Sequence, residues 1–312
     1  MARSALRLTP TAAALLLALS LFSNGAPKKR TTARPARPAA VSPAKLNPAD
    51  FSLLAEGELP LAAKGAIVID GLTGRAIYKK NSEAVLYPAS TTKIMTALLV
   101  IEAGNLEAEV EIAEEDSKVG ESGLDIKPGE RFTRRQMLYG LMLKSANDVA
   151  HSLGRDNAGS AAAFAEKMTL RAWELGAVST HFMNAHGLHH REHFTTASDL
   201  AAIARAAMQQ PLFRAIVATH KHPWVTEFAL RELRNHNRLL VQFPGCTGVK
   251  TGYTNPAQQV LASAALRDGR EVVATVMHTN KPGIWEDSKL LLTRGFEEVI
   301  DDPRASVDAK PH

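Results

Sequence analysis

The most constraining feature of this chain is a pair of β-hairpin patterns near its two ends, with a long helical stretch between them. Four short β-rich runs form the two pairs: residues 65–70, 75–80, 260–266 and 271–278. Glycines bound the turn of the first pair, and Asp268-Gly269, a strong hairpin signal, lies in the turn of the second. Strands at both ends predict a single antiparallel sheet that both ends of the chain complete.

Helical spacing of apolar residues dominates the rest of the folded region. The pattern predicts helices over residues 133–153, 161–175, 196–209, 211–217 and 285–299. An apolar fraction of 45% and a charged fraction of 22% exclude a mainly disordered or fibrous protein. We therefore expect a mixed α/β protein of the α+β type, in which helices cover an antiparallel sheet and a helical lobe is inserted.

The first 50 residues differ in composition from the rest of the chain. Two arginines precede the apolar run 11–22, and small residues follow it, so residues 1–26 are predicted to be a secretory signal peptide. An uncleaved leader that tethers the chain to a membrane is the alternative. Residues 27–50 are rich in Pro, Ala and basic residues and predict an extended linker. We expect the protein to be exported to the periplasm or cell envelope, with a folded domain over 51–302 and a disordered tail over 303–312.

The charge distribution argues against binding of nucleic acid by the folded domain. The formal net charge of the whole chain is +5, but residues 1–50 hold eight Lys and Arg against one acid, so the remainder is slightly negative. The single cysteine, Cys246, excludes an intrachain disulfide framework and a zinc finger built on cysteines.

The first candidate for chemistry is the motif Ser90-Thr91-Thr92-Lys93, which begins a nearly all-apolar helix that stops near Gly104. Positions i and i+3 are neighbours on one helix face, so the Ser90 hydroxyl and the Lys93 amine can touch. A serine hydroxyl needs an adjacent base to become a nucleophile. Lys93 can be that base only if burial and a second cation lower its pKa.

Two further motifs carry polar side chains that a shared site could use. Ser145 and Asn147 flank a small residue at a predicted junction between a helix and a loop, and Lys250-Thr251-Gly252 lies just before a strand-like run. Gly252 permits a ligand to approach the backbone, and Lys250 with Thr251 could bind a carboxylate. Each motif alone is compatible with a helix cap, a turn or a strand edge.

The conjunction of the three motifs, in this order and 55 and 105 residues apart, resembles the penicillin-recognising serine enzymes. Stretches such as YPASTTKIMTALL, MLYGLMLKSANDVA and GVKTGYTNPA are similar to the D-alanyl-D-alanine carboxypeptidase group of low-molecular-mass penicillin-binding proteins, serine peptidase family S11. The resemblance covers about residues 55–300. It implies a β-lactamase/DD-peptidase-like fold, with a five-stranded antiparallel sheet flanked by helices and an all-helical lobe.

The resemblance also implies roles for individual residues. Ser90 is then the nucleophile, Lys93 its base, Ser145 a proton relay and Asn147 a ligand of the substrate backbone. Lys250 and Thr251 bind the terminal carboxylate, and Lys250 helps to lower the pKa of Lys93. The expected oxyanion hole consists of two backbone N–H groups: those of Ser90 and Tyr253, which follows Gly252. The implied partners are a stem peptide ending in D-Ala-D-Ala and β-lactams as covalent inhibitors, with no cofactor.

Of three alternatives to this interpretation, the sequence argues against a class A β-lactamase and leaves the other two open. We expect neither the second β-domain nor the C-terminal amphipathic anchor of many such carboxypeptidases, which leaves open a DD-endopeptidase that cleaves crosslinks. A class A β-lactamase needs a Glu-x-x-Leu-Asn motif, and the stretch Glu232-Leu233-Arg234-Asn235 lacks that spacing. The third alternative is a non-catalytic wall-binding protein.

A cluster of histidines invites a metal-binding hypothesis. The histidines are His181, His186, His189, His190 and His193. No His-Glu-x-x-His or comparable helix motif accompanies them, so we expect no metal site.

Overall fold

The computed structural model describes residues 59–226 and 229–300. The strands are β1 (Gly65–Asp70), β2 (Ala76–Lys80), β3 (Glu109–Glu111), β4 (Arg131–Thr133), β5 (Lys221–Val225), β6 (Leu230–Arg234), β7 (Cys246–Thr254), β8 (Gln258–Arg267) and β9 (Arg270–Thr279). The helices are α1 (Lys93–Ala103), α2 (Arg134–Tyr139), α3 (Asn147–Ala158), α4 (Ala161–Glu174), α5 (Ala197–Met208), α6 (Pro211–Ala218), α7 (Leu239–Gln242) and α8 (Gly283–Ile300).

A five-stranded antiparallel sheet forms the centre of the fold, in the order β2-β1-β9-β8-β7. Strand β1, from the start of the folded region, pairs with β9, from near its end, and Ala66 lies opposite Val276. This pairing confirms the prediction that both ends of the chain complete one sheet. Strand β7 lies at one edge of the sheet, where its outer side is available to the helices.

Both faces of the sheet are covered, which explains why the inner strands β1, β8 and β9 are mostly apolar rather than alternating. In β1, Ile67 and Ile69 point into the larger core, which includes residues of α1 and α5. Ala66 and Val68 point into a second core formed with α8. Side chains of a strand alternate between faces, so burial of both faces removes the polar positions.

Two small sheets outside the central one were not predicted from the sequence. Strand β3 pairs with β4, and β5 pairs with β6. In the β5–β6 hairpin only Trp224 and Leu233 are buried, so the apolar alternation that would reveal it is nearly absent. Glu232 lies in β6, where its carboxylate pairs with Lys221 at 3.2 Å and with Arg234 at 2.9 Å.

The prediction of one helix over 133–153 is wrong. Helix α2 ends at Tyr139, a π-helical turn spans Gly140–Lys144, and Ser145 has a left-handed conformation with φ of 64°. Helix α3 then begins at Asn147 and continues to Ala158. The apolar residues on both sides of the break are buried, so hydrophobic periodicity passes through it without a signal.

The predicted signal peptide (1–26), linker (27–50) and tail (303–312), with the ends of the predicted domain, lie outside the described residues. Between residues 59 and 300, no described helix is long and apolar enough to cross a membrane.

Candidate active site

Ser90 and Lys93 lie at the entrance of the central helix. A 3-10 turn over Ala89–Thr92 leads directly into α1, whose first residue is Lys93. The Lys93 Nζ lies 3.1 Å from Ser90 Oγ, the contact that the i, i+3 spacing predicts. The helix is buried from Lys93 to Val100, so the serine is carried on a rigid element in the middle of the protein.

Lys93 is completely buried, and its Nζ contacts three oxygen atoms. Its Nζ donates to Asn147 Oδ1 at 2.7 Å and to the His186 carbonyl oxygen at 2.6 Å. Those two oxygens can only accept, whereas the Ser90 hydroxyl can donate as well as accept. A neutral lysine amine has two hydrogens and one lone pair. Its hydrogens therefore satisfy the two carbonyl-type oxygens, and its lone pair faces the hydroxyl hydrogen of Ser90.

The electrostatic environment favours this neutral amine. Burial lowers the pKa of Lys93 well below its usual value, and the charge of Lys250 lowers it further. The carboxylates of Asp148 and Glu121 act in the opposite direction, with smaller effects. The sequence-based expectation named the same two causes, burial and a second cation.

Ser145 and Asn147 are presented by the break between α2 and α3. Ser145 is nearly buried, at 6% exposure, and its left-handed backbone ends the π-helical turn. Asn147 then begins α3, and its Nδ2 donates to the Gly120 carbonyl at 3.0 Å, which fixes its Oδ1 toward Lys93. The second hydrogen of Nδ2 remains for a ligand. The second motif predicts a helix junction here, whereas hydrophobic periodicity predicts a continuous helix; the break directs the Asn147 side chain into the site.

The third motif lies within β7, the edge strand, rather than before a strand. Alternation places Lys250 and Gly252 on the face toward Ser90, where both are buried. A Cβ on Gly252 would lie 2.9 Å from the Ser90 nitrogen, so only glycine permits this approach. Thr251 and Tyr253 are more accessible, and the Tyr253 hydroxyl donates to Asn255 Oδ1 at 2.8 Å.

Lys250 is buried almost as deeply as Lys93, and burial lowers its pKa to about 7. Its Nζ donates to the Thr251 carbonyl at 3.0 Å. Near neutral pH this group is therefore partly charged, and an anionic ligand in contact with it would favour the charged form. Two buried lysines close to one serine are a costly arrangement that a purely structural site does not need.

The loop Ala185–Leu188 completes the site, and its contribution was not predicted in this detail. Besides the His186 carbonyl, the loop supplies Gly187, whose φ is +90°. A Cβ at this position would lie 1.9 Å from the Ala89 carbonyl oxygen, so only glycine fits here. Ala89 itself has an unusual φ of 47° next to Ser90. The signal available in the sequence was the glycine at position 187, within the histidine cluster.

The histidine rings of the cluster make contacts within the protein. His193 Nδ1 accepts the Met183 N–H at 3.1 Å, so its Nε2 carries the hydrogen and donates to Thr92 Oγ1 at 2.8 Å. Burial lowers the pKa of His193 to about 3 and that of His186 to about 2, so both rings are neutral. His186 Nδ1 accepts the Leu188 N–H at 3.2 Å. The His193 ring thus links Met183 to the turn that leads into α1, and the His186 ring forms a hydrogen bond within its own loop.

Comparison with known proteins places this geometry in a family. The profile of the D-alanyl-D-alanine carboxypeptidases, peptidase S11, matches residues 54–281. The chain is 35% identical to the D-alanyl-D-alanine carboxypeptidase DacF of Bacillus subtilis, over 72% of this chain and 59% of that protein. It is 33% identical to DacB2 of Mycobacterium tuberculosis, over 83% of this chain and 91% of that protein.

Solved structures agree with the sequence relatives. The crystal structure of a D-alanyl-D-alanine carboxypeptidase from Mycobacterium tuberculosis H37Rv has a TM-score of 0.74 at 32% identity, over 79% of this chain and 96% of that one. The Streptomyces K15 DD-transpeptidase has a TM-score of 0.73 at 32% identity, over 77% and 99%. The expected α+β fold is confirmed, and the chain belongs to the S11 family of serine-type D-alanyl-D-alanine carboxypeptidases.

Proposed function

We propose that this protein removes the terminal D-alanine from peptidoglycan stem peptides that end in D-Ala-D-Ala, through an acyl-enzyme on Ser90. One observation carries the proposal: the fully buried Lys93 amine has two obligate acceptors and, as its third neighbour, the Ser90 hydroxyl. A neutral base held against a serine at the start of a rigid helix is the arrangement that nucleophilic catalysis requires.

Acylation follows from these contacts. The Ser90 hydroxyl proton passes to Lys93 Nζ as Oγ forms a bond with the carbonyl carbon of the penultimate D-alanine. Negative charge then develops on the carbonyl oxygen, and the backbone N–H groups of Ser90 and Tyr253 are its proposed donors. The close approach of Gly252 to the Ser90 nitrogen supports this pairing, because it brings β7 beside the turn that carries the nucleophile.

The leaving D-alanine needs a proton and a site for its carboxylate. Ser145 is the proposed relay that delivers the proton to the departing amine. Lys250 and Thr251 are the proposed ligands of the carboxylate, by charge and by hydrogen bond. Asn147, with its second Nδ2 hydrogen, would bind a carbonyl of the peptide backbone. Water then hydrolyses the ester and frees Ser90.

β-Lactams should form the same ester and keep it for longer. Glu232, in the stretch nearest to a deacylating motif, lies in β6 within ion pairs to Lys221 and Arg234. This supports a target of penicillin rather than an enzyme that destroys it.

The bond that is cut is the finer part of the proposal, and a product analysis tests it. A D-alanyl-D-alanine endopeptidase of Pseudomonas aeruginosa is 31% identical to this chain over 64% of its length, so cleavage of crosslinks is the second candidate. We expect mass spectrometry to show faster release of D-alanine from a pentapeptide monomer than opening of a crosslinked dimer at equal concentration. Faster opening of the dimer would make the endopeptidase assignment correct. If the protein binds both substrates but hydrolyses neither, the non-catalytic wall-binding function is the correct one.

The two lysines predict a bell-shaped dependence on pH. Activity should rise with pH as Lys93 loses its proton, and this occurs below the usual lysine range because its pKa is lowered. Binding of the carboxylate should weaken as pH rises through about 7, where Lys250 loses its charge. Steady-state kinetics from pH 5 to 10 should therefore show KM increasing on the alkaline side.

A substrate with a C-terminal carboxamide is the control for this pH effect. It has no charge for Lys250 to bind, so its KM should be higher and should not rise with pH in the same range. If the KM of the carboxylate substrate stays constant up to pH 9, Lys250 does not bind the substrate carboxylate.

The location of the protein is a further proposal. Export through the leader, with cleavage near residue 26 or a retained membrane tether, would deliver the 51–302 domain to the compartment that holds peptidoglycan. The homologous cell-wall enzymes support an envelope location in general.

A further inference from the structure

Asp148 is a buried acidic residue that the proposed mechanism does not use. It follows Asn147 in the first turn of α3 and is 3% exposed. Its carboxylate accepts the N–H of Val149 at 2.8 Å, within the helix, and those of Leu124 at 2.9 Å and Ile126 at 3.4 Å, outside it. An acid in the first turn stabilises a helix even when it stays exposed, so helix formation does not require this burial. The contacts outside the helix indicate a further role.

The segment 120–126, which Asp148 holds, also binds Asn147. The Asn147 N–H donates to the Ser122 carbonyl at 2.6 Å, and its Nδ2 donates to the Gly120 carbonyl at 3.0 Å. The segment contains no helix or strand, so its position depends on contacts with other parts of the fold. Two adjacent side chains of α3 thus hold this segment near both of its ends.

The fit between Asp148 and the segment is tight at Gly123. A Cβ on Gly123 would lie 2.9 Å from Asp148 Oδ2, and the three atoms nearest to it all belong to the Asp148 carboxyl group. The glycine therefore allows the carboxylate to reach the backbone of the segment. An alanine at position 123 would have to displace this carboxylate.

The Asn147 amide connects the segment with the catalytic base. Its Oδ1 accepts from Lys93 Nζ, and its Nδ2 is held by the Gly120 carbonyl on the opposite side of the same amide. A shift of the segment 120–126 would free the amide to rotate and would remove an acceptor from Lys93. The direction of the Lys93 lone pair toward Ser90 depends on that acceptor.

We infer that Asp148 is a positioning residue for acylation: its carboxylate holds the segment 120–126, and this segment fixes the Asn147 amide. The amide in turn orients the Lys93 amine toward Ser90. The inference rests on the proposed function, because it concerns acylation of Ser90. Asp148 should affect formation of the acyl-enzyme and leave recognition of the terminal carboxylate unchanged.

The pH dependence of acylation distinguishes an effect on Lys93 from an effect on the fold alone. The titratable side chains that interact with Lys93 come from β7, α3, the segment 120–126 and the histidine cluster: Lys250, Asp148, Glu121, His186 and His193. Burial lowers the pKa values of His186 and His193 to about 2 and about 3, so both rings stay neutral. Burial and the Lys250 charge lower the pKa of Lys93, and the Asp148 carboxylate opposes them. Loss of the Asp148 charge should therefore move the acidic limb of the acylation profile to lower pH.

The test is the rate of acylation by a chromogenic β-lactam, measured by stopped flow across this pH range and referred to the folded fraction of each variant. We expect Asp148→Asn to lower the maximal rate about tenfold, as loss of one hydrogen bond to a charged group implies, and to move the acidic limb to lower pH. Asparagine has one acceptor oxygen in place of two and presents N–H groups to backbone N–H groups. Gly123→Ala perturbs the same contact from the segment and should also lower the maximal rate, which keeps the test decisive if Asp148→Asn does not fold.

Glu121→Gln is the matched control for charge. Glu121 is an exposed acid of the same segment whose charge acts on Lys93 in the same direction as that of Asp148. Its replacement should move the acidic limb to lower pH and leave the maximal rate unchanged. An equal loss of maximal rate in this control would overturn the inference, because charge and not position would then explain the effect of Asp148→Asn.

The remaining outcomes separate this inference from the proposed function. Acylation of Asp148→Asn and Gly123→Ala at the maximal rate of the wild type would overturn the inference and leave the proposed function unaffected. A lower rate for Asp148→Asn with an unmoved acidic limb would also overturn it, because the carboxylate would then serve only the fold. A wild-type protein that no β-lactam acylates would overturn both.

Discussion

Replacement of Ser90 by alanine is expected to abolish hydrolysis of D-Ala-D-Ala peptides, with a loss of about 10⁴-fold or more in kcat. The reason is that no other hydroxyl among residues 59–226 and 229–297 has the contact with Lys93 Nζ that Ser90 Oγ makes. The change removes a single hydroxyl from a half-buried position, so we expect the fold to remain intact. Peptide hydrolysis followed by chromatography, with a thermal melt of the variant, measures both effects.

Ser117→Ala is the matched control for this substitution. Ser117 is an exposed serine whose hydroxyl donates to the Glu114 carbonyl at 2.8 Å, remote from Lys93 in its contacts. Its activity should equal that of the wild type. A Ser90→Ala enzyme that kept more than a few per cent of the activity, with the control unchanged, would show that the acyl group is carried elsewhere or that water attacks directly.

Replacement of Lys93 by arginine should be nearly as damaging as replacement by alanine, with a loss of acylation of about 10²–10⁴-fold in each case. Arginine keeps the positive charge, but its guanidinium cannot be deprotonated in a protein, so it cannot accept the Ser90 proton. Stopped-flow acylation by a chromogenic β-lactam measures the rate directly, without dependence on deacylation.

The stability of the two variants must be measured alongside. Lys93→Ala leaves two buried oxygens, Asn147 Oδ1 and the His186 carbonyl, without their donor, at about 1–3 kcal/mol each. Acylation rates should therefore be referred to the folded fraction at the assay temperature. If the arginine variant retained acylation close to the wild-type rate, Lys93 would act only through its charge and the proton would go to another group.

Four strands of the central sheet were predictable because their signals are local, whereas β7 was not, since the pattern placed the third motif before a strand rather than within one. Turn residues bound both hairpins, and the last strands and helices follow short-range patterns that burial does not obscure. The pairing of β1 with β9 needed no pairing signal of its own, since two hairpins at opposite ends of a single domain must share a sheet to bury their faces.

The break at Ser145 was not predictable from the same kind of pattern. The π-helical turn before it begins at Gly140, which packs closely against other parts of the fold: a Cβ there would lie 2.7 Å from Leu124 Cδ1 and 3.0 Å from Trp224 Cζ3. Buried apolar residues continue on both sides of the break, at Leu141 and Leu143 before it and at Ala146 and Val149 after it, so hydrophobic periodicity alone indicates one helix. The strained backbone of the break coincides with the site, as is common where structure is shaped by function.

The side chains of the candidate site could be predicted from the sequence, but the backbone groups that contact them could not. The three motifs identify Ser90, Lys93, Ser145, Asn147 and Lys250 because residue type carries the chemistry. The His186 carbonyl that holds Lys93 could not be found in this way, since every residue has a carbonyl and only the fold decides which one is near.

The most direct test of the account is the location of the covalent adduct with penicillin. Wild-type protein should be incubated with benzylpenicillin, digested and mapped by mass spectrometry, with Ser90→Ala treated in parallel. We predict one penicilloyl adduct on the peptide that contains Ser90 and none on the variant. An adduct on any other residue, or an unmodified wild-type protein, would contradict the assignment of Ser90 as the nucleophile.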